Sequence, residues 1–176
     1  MKENEVLKAI HDRRSIRHFK ADQISDDELQ TVLEAGTWAP TGMGYQDPVI
    51  IAVQNKALSD EIRQLNARVM GVKSDPYYGA PTIVLVFGKA EWGNHVKDCS
   101  LVLGTMMLAA HSIGLASCWI NRCEQVFSEL PESDALRKKL GVPEGYVGVG
   151  SLALGYASRP ANQPKPRKED YYSVIK

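Results

Sequence analysis

Cysteine is scarce in this chain of 176 residues: Cys99, Cys118 and Cys123 make an odd count, and no CxxC pair occurs. A disulfide framework and a zinc ribbon are therefore excluded. An excess of charge is missing too, since 21 Lys+Arg balance 21 Asp+Glu. That balance argues against an acidic tail or a polycationic protein that coats nucleic acid. No apolar run reaches the roughly 20 residues of a membrane-spanning helix. The longest, Leu101 to Ala116, is interrupted by Thr105, His111 and Ser112. The opening MKENEVLKAI carries charge throughout and has no apolar signal core, so secretion by that route is not expected. The four histidines form neither HExxH nor a paired-ligand spacing, so no metal site is expected. No serine sits in GxSxG, and Cys118 beside Trp119 is read as packing. His111, within the apolar run, is read as a hydrogen-bonded core residue. With 44% apolar and 24% charged residues, disordered and fibrous classes are excluded as well. The expected setting is a reducing, cytoplasmic one.

What is present is an alternation of helical and extended patterns. Val6, Leu7 and Ile10 predict a short helix over Asn4 to Asp12. Ser25 and Glu28 form a capping box ahead of a helix whose apolar face, Leu29, Val32 and Leu33, runs up to Gly36. Pro48 to Gln54 and Thr82 to Phe87 are β-branched runs that predict buried strands. Between them, Leu58, Ile62, Leu65 and Val69 predict a helix that stops at Gly71. Asp98 is expected to open the long apolar helix through Gly114, with its side chain at the helix start. Apolar residues cover most of that helix, so it is expected to be central and buried. Ala116 to Ile120 and Tyr146 to Tyr156 predict two further strands, with helical pieces from Glu124 to Leu140. The class is α+β, with helices on both faces of one sheet, in a single domain over residues 1–176. Residues 157–176 form a proline-containing tail without apolar periodicity, expected to wrap this subunit or a neighbour.

Three segments carry candidate chemistry. Arg13, Arg14, Ser15 and Arg17 follow the first helix. Arginine presents a planar fork of donors that matches phosphate oxygens, and Ser15 adds a hydroxyl. Taken alone, the cluster is as readily a cationic helix end that satisfies the dipole. Lys165, Arg167 and Lys168 gather in the tail, where a solvated terminus is the plain alternative. Two separated basic clusters in a neutral chain would suit one anion gripped from two sides. The loop Pro40, Thr41, Gly42, Met43, Gly44, Tyr45, Gln46 offers glycines for close backbone approach to a flat ligand and an amide for polar ring edges. It is neither a phosphate loop nor a dinucleotide fingerprint. A nucleic-acid module is disfavoured, because no aromatic platform is interleaved with the basic residues.

Taken in order, RRSIRHF, APTGMGYQ, DCSLVLGTMMLAAHSIGLASCWI, LGVPEGYVGVGSLALGY and PKPRK resemble the nitroreductase family of FMN-dependent oxidoreductases, in its short single-domain form. The resemblance spans nearly the whole chain. It implies a central, mostly antiparallel sheet flanked by helices, a homodimer with shared flavin sites, and a C-terminal tail that reaches the partner subunit. It implies FMN as cofactor, NADH or NADPH as electron donor, and a small acceptor such as a nitroaromatic or quinone, reduced in ping-pong fashion. Arg13, Arg14 and Ser15 look like the family's contacts to the FMN phosphate and ribityl chain. Arg17 is similar to its basic residue near the pyrimidine edge. Arg167, with Lys165 and Lys168, looks like the tail contact that closes on the phosphate. Ser117, Cys118, Trp119 and Ile120 fall where the family passes backbone along the ring. Pro40, Thr41, Gly42, Met43, Gly44 and Gln46 match the loop that reaches the flavin of the other subunit. The resemblance implies no protein nucleophile, and no metal, nucleic-acid partner or membrane is expected. One departure stands out: the family loop usually reads APSGxNxQPW, whereas here Gly44 takes the Asn position and Asp47 and Pro48 replace Pro and Trp. That leaves room for a second possibility, a flavin-binding or flavin-consuming member of the fold without general reductase activity.

Overall fold

The computed structural model describes residues 2–176. Local signals act as expected at the helix starts. Helix α1, Glu5–Asp12, is capped by Asn4, whose side chain accepts the Leu7 N–H at 2.8 Å. Helix α2, Asp26–Thr37, carries the reciprocal capping box. The Ser25 N–H donates to Glu28 Oε2 at 2.9 Å, and the Glu28 N–H donates to Ser25 Oγ at 3.2 Å. Helix α3, Lys56–Met70, ends where Gly71 turns left-handed at φ 72°.

Four strands, β1 (Val49–Val53), β2 (Thr82–Lys89), β3 (Ala116–Ile120) and β4 (Tyr146–Gly155), form one sheet in the order β1-β2-β4-β3, every pair antiparallel. Strand β2 lies centrally and is buried on both faces, so its period of two feeds two cores. Ile83, Leu85 and Phe87 meet α3, α5 (Cys123–Ser128) and α6 (Ser133–Leu140) through Ile62, Leu65, Phe127 and Leu136. Val84 and Val86 meet α2 and α4 (His95–Ser112) through Val32, Val102, Leu103 and Met106. Each such side chain contributes about 1.5–3 kcal/mol on burial. Past Val86 the register slips, Val86 facing Gly150 and Phe87 facing Gly148. A Cβ at Gly148 would stand 2.7 Å from the Cys123 carbonyl oxygen, so only glycine lets β4 pass under the start of α5.

The long helix differs from expectation in two ways. Helix α4, His95–Ser112, begins nearly a turn before Asp98, with Asn94 at its cap. Asp98 is therefore not the cap, and its carboxylate is used elsewhere. The helix is also buried on one side only: Cys99, Val102, Leu103, Met106 and Ala110 are inside, while Val96 and Leu101 are exposed. An apolar circumference predicted full burial, but one chain supplies partners for half of it. His111 is likewise not a core residue: it is half-buried at the end of α4.

The chain after α1 is held along the outer edge of β3. Ser15 bridges Ser117 in parallel, and the Ile16 N–H donates to the Ser117 carbonyl at 3.0 Å. Phe19 then bridges Ala157, and the Lys20 N–H donates to Tyr156 O at 2.9 Å. With Ile16 buried as the anchor, the neighbouring arginines are presented at the sheet edge. Among the described residues no helix is long and apolar enough to cross a membrane.

Candidate functional site

The basic clusters, distant in sequence, meet. Arg13, Arg14 and Ser15 line a cavity of about 660 Å³ together with Ile10, His11, Pro164, Lys165 and Arg167. The tail thus folds back beside the segment that links α1 to α2 in its own chain. Lys168 is exposed and does not line this cavity. The first part of the tail, Ala157 to Ala161, closes a neighbouring groove of about 230 Å³ that includes Arg13, Arg14, His111 and Ser117.

Charge at this end is unbalanced. Among the described residues the ion pairs are Lys56–Asp60, Arg63–Asp75, Arg68–Glu132, Lys89–Glu91 and Lys139–Glu61. None of Arg13, Arg14, Arg17, Lys165, Arg167 or Lys168 is in one. Arg14 uses one nitrogen on the carbonyls of His11 and Arg13, at 2.5 and 2.7 Å. Arg14 Nε and Arg13 Nη1 are buried without any partner. A buried donor left unsatisfied costs on the order of 1–3 kcal/mol, and more when charged. Gathered cations with orphaned donors fit a bound dianion such as a phosphate monoester, whose oxygens accept what the protein leaves unpaired.

Strand β3 adjoins this cluster. Ser117, Cys118 and Ile120 are buried, and the half-buried Trp119 donates from Nε1 to Asn121 Oδ1 at 2.8 Å. Burial pushes the Cys118 thiol up, while the nearby charges of Arg17 and Arg13 and a hydrogen bond with Ser15 partly offset it. Ser15, Arg13, Arg17 and β3 are thereby brought to one place.

The glycine loop lies at a different place and does not line the 660 Å³ cavity. Gly42–Gly44 make a single 3-10 turn. Met43, Gly44 and Gln46 have φ of 56°, 68° and 54°, three left-handed residues within four positions. The Gly44 N–H donates to Thr41 O and the Gln46 N–H to Thr41 Oγ1, both at 3.0 Å. Asp98, only 4% exposed, accepts the Gly42 N–H at 3.0 Å and the Trp92 Nε1–H at 2.8 Å. Trp92 in turn meets the Tyr45 ring edge-on, 5.0 Å between centroids. Pro40, Met43 and Gly44 face solvent.

Reading the sequence missed Asp98 and Trp92 as supports of the loop, and His11 and Pro164 as cavity walls. An aspartate early in an apolar helix was a visible signal, but capping was the nearer explanation. Its partners lie 56 and six positions away.

An antiparallel sheet of this order with helices on both faces matches a class of solved oxidoreductases. A nitroreductase from Bacteroides fragilis, solved with bound FMN, is 35% identical, with TM-score 0.87 over 99% of this chain and 100% of that one. A nitroreductase from Desulfitobacterium hafniense, also solved with bound FMN, is 31% identical, with TM-score 0.90 over 99% and 100%. An FMN reductase using NAD(P)H, from Bacillus subtilis, is 26% identical over 94% of this chain and 72% of its own. These comparisons define the chain as an oxidoreductase. The nitroreductase family model matches residues 10–76 and 68–156, and the chain belongs to that family.

Proposed function

We propose that the protein is an FMN-dependent oxidoreductase that takes electrons from NADH or NADPH and delivers them to a small acceptor, a nitroaromatic, a quinone or a similar compound, in ping-pong fashion. The observation that carries this reading is the pair of orphaned buried donors, Arg13 Nη1 and Arg14 Nε, beside Lys165 and Arg167 with no carboxylate paired to any of them. When bound, FMN supplies the two-electron chemistry, and the protein supplies binding and orientation.

In this reading Arg13, Arg14, Ser15, Lys165 and Arg167 hold the phosphate, with Lys168 adding long-range attraction from the tail. Arg17 would hold positive charge beside β3, where it would offset negative charge on a bound flavin. Ser117, Cys118, Trp119 and Ile120 offer a stiff strand beside the ring, because their backbone is committed to β4 on one side and to Ile16 on the other. Pro40, Thr41, Gly42, Met43, Gly44 and Gln46 complete the site of a partner subunit. No protein nucleophile is needed.

A homodimer is part of this proposal. It is supported by the exposed apolar side of α4, with Val96 and Leu101, and by exposed Val6 and Ile10 on α1. Tyr171, Tyr172, Val174 and Ile175 at the end of the tail are also exposed, as a segment reaching over a second subunit would be in one chain alone. Three free cysteines suit a cytoplasmic setting.

The test is direct. Purified protein should be yellow with FMN absorbance that bleaches on adding NADH or NADPH and returns with a quinone or nitroarene. A colourless preparation that binds no added FMN would overturn the reading. Flavin that is consumed instead of recovered intact would favour the flavin-consuming alternative suggested by Gly44 at the usual Asn position.

A further inference from the structure

The loop Gly42–Gln46 combines features that do not stabilise one another. It is exposed, with Met43 at 81% and Tyr45 at 56%, yet three of its residues hold left-handed φ. Exposed backbone with that geometry relaxes unless something outside the loop over-determines it. Thr41 accepts the Gly44 and Gln46 N–H groups from the neighbouring position, and the element that reaches the turn from elsewhere in the fold is one buried carboxylate. Asp98 binds the Gly42 N–H with one oxygen and the Trp92 indole N–H with the other, and Trp92 packs against Tyr45. One end of the strained turn is therefore tied to Asp98 directly, through Gly42, and the other indirectly, through Tyr45 packed on Trp92. The fit is close: a Cβ at Gly42 would stand 2.8 Å from Trp92 Cζ2 and from Asn94 Nδ2.

The chemistry of the tie is specific to a carboxylate. Ionised Asp is an acceptor at both oxygens, so it serves two donors at once. Asn has one acceptor oxygen, and its NH₂ would face a second N–H. No cation is in an ion pair with Asp98 among the described residues, so its role is not charge neutralisation.

We propose that Asp98 is a positioning residue that, through Gly42 and Trp92, presets the Thr41–Gln46 loop to receive the flat ring of the flavin, separately from the phosphate grip. This rests on the FMN reading for the identity of the ligand, but the preset itself exists without ligand. Ring and phosphate affinity are then separable: Asp98 governs the first and not the second.

The experiment uses the full chain as wild type, Asp98→Asn, Trp92→Phe and the double variant. It measures riboflavin and FMN affinity by flavin fluorescence, inorganic phosphate by competition with FMN, and amide exchange over residues 41–46 without flavin. Asp98→Asn should weaken riboflavin and FMN alike, by about tenfold, and leave phosphate unchanged, as expected for the loss of one buried hydrogen bond. Loop exchange should rise while the interior of α4 stays protected. Trp92→Phe should have a smaller effect of the same kind, and it serves as the second probe if Asp98→Asn fails to fold. In the double variant the remaining Asn oxygen is free for Gly42, so riboflavin affinity and loop protection should partly return. Unchanged riboflavin affinity and loop exchange in Asp98→Asn would overturn the proposal. So would parallel losses of riboflavin and phosphate affinity, the mark of a merely structural role. A wild type that binds neither flavin overturns the FMN reading together with the ligand named here, while the ligand-free exchange still decides whether Asp98 holds the loop.

Discussion

The basic end and the glycine loop differ in how fully they are satisfied by the protein itself. At the basic end, arginine nitrogens are buried with no partner, the tail that closes the cavity has no regular structure, and among the described residues none of the cations is in an ion pair. At the loop, Thr41 and Asp98 accept three backbone N–H groups, those of Gly42, Gly44 and Gln46, and Asp98 also holds the Trp92 indole. The first region leaves buried donors that the protein itself does not satisfy. The second is complete without any ligand and is held in a shape. On the proposed reading, affinity and orientation fall to different parts of the chain, one by electrostatics and the other by packing and hydrogen bonds.

The strongest attack on this contrast is to remove charge from the basic end. Arg13→Ala combined with Arg167→Ala should weaken FMN by about a hundredfold or more, since charge-assisted hydrogen bonds contribute about 1.5–3 kcal/mol each. Melting temperature without flavin should hold or rise, because unpaired like charges are removed. A large fall in melting temperature would mean that these arginines serve the fold. Salt offers a milder version. FMN affinity should fall severalfold to tenfold between about 0.05 and 0.5 M NaCl, and riboflavin affinity should barely move, as screening acts only on the phosphate grip.

The loop responds differently. Thr41→Val removes the acceptor of the Gln46 N–H and should cost about 1 kcal/mol in chemical denaturation, with no change in salt dependence. Gly44→Asn should leave stability within about 1 kcal/mol, since Asn tolerates left-handed φ and nothing lies within 4 Å of the added Cβ. Any change it causes should appear in ring affinity or acceptor preference, which an acceptor panel would read.

Cys118 gives the smallest and most local measure. Burial raises its pKa above the ordinary 9.0, and Arg17 and Arg13 pull it back. The folded thiol therefore stays neutral after the unfolded chain has begun to ionise, so this group's contribution to stability declines as pH rises above 9.0. Arg17→Ala should push the thiol higher still, seen as a later rise in ultraviolet thiolate absorbance. No shift would mean that Arg17 does not act at β3.

Much of this architecture was legible from local pattern. Ser25 with Glu28, Gly71 after α3 and the β-branched runs of β1 and β2 act within a few residues, and the structure shows them as expected. The nitroreductase resemblance was legible because its segments keep their order along the chain, and the family match bears it out. The start of α4 was misread because Asp98 carries an ordinary capping signal but bonds across the fold. The burial of α4 was overread because hydropathy reports the need for a partner and not whether the same chain provides it.

By itself, then, the sequence determined the α+β class, the strands, the helix limits governed by caps, and the two basic clusters, all of which depend on neighbours within a few positions. Only the tertiary structure decided that Arg13 and Arg14 share a cavity with Lys165 and Arg167, roughly 150 positions away. It also decided that Asp98 holds a loop 56 positions earlier. The physical reason is common to both. Charge and hydrogen-bond satisfaction depend on which groups lie within a few ångströms, and that distance is set by the packing of β3, β4 and α4 and not by separation along the chain.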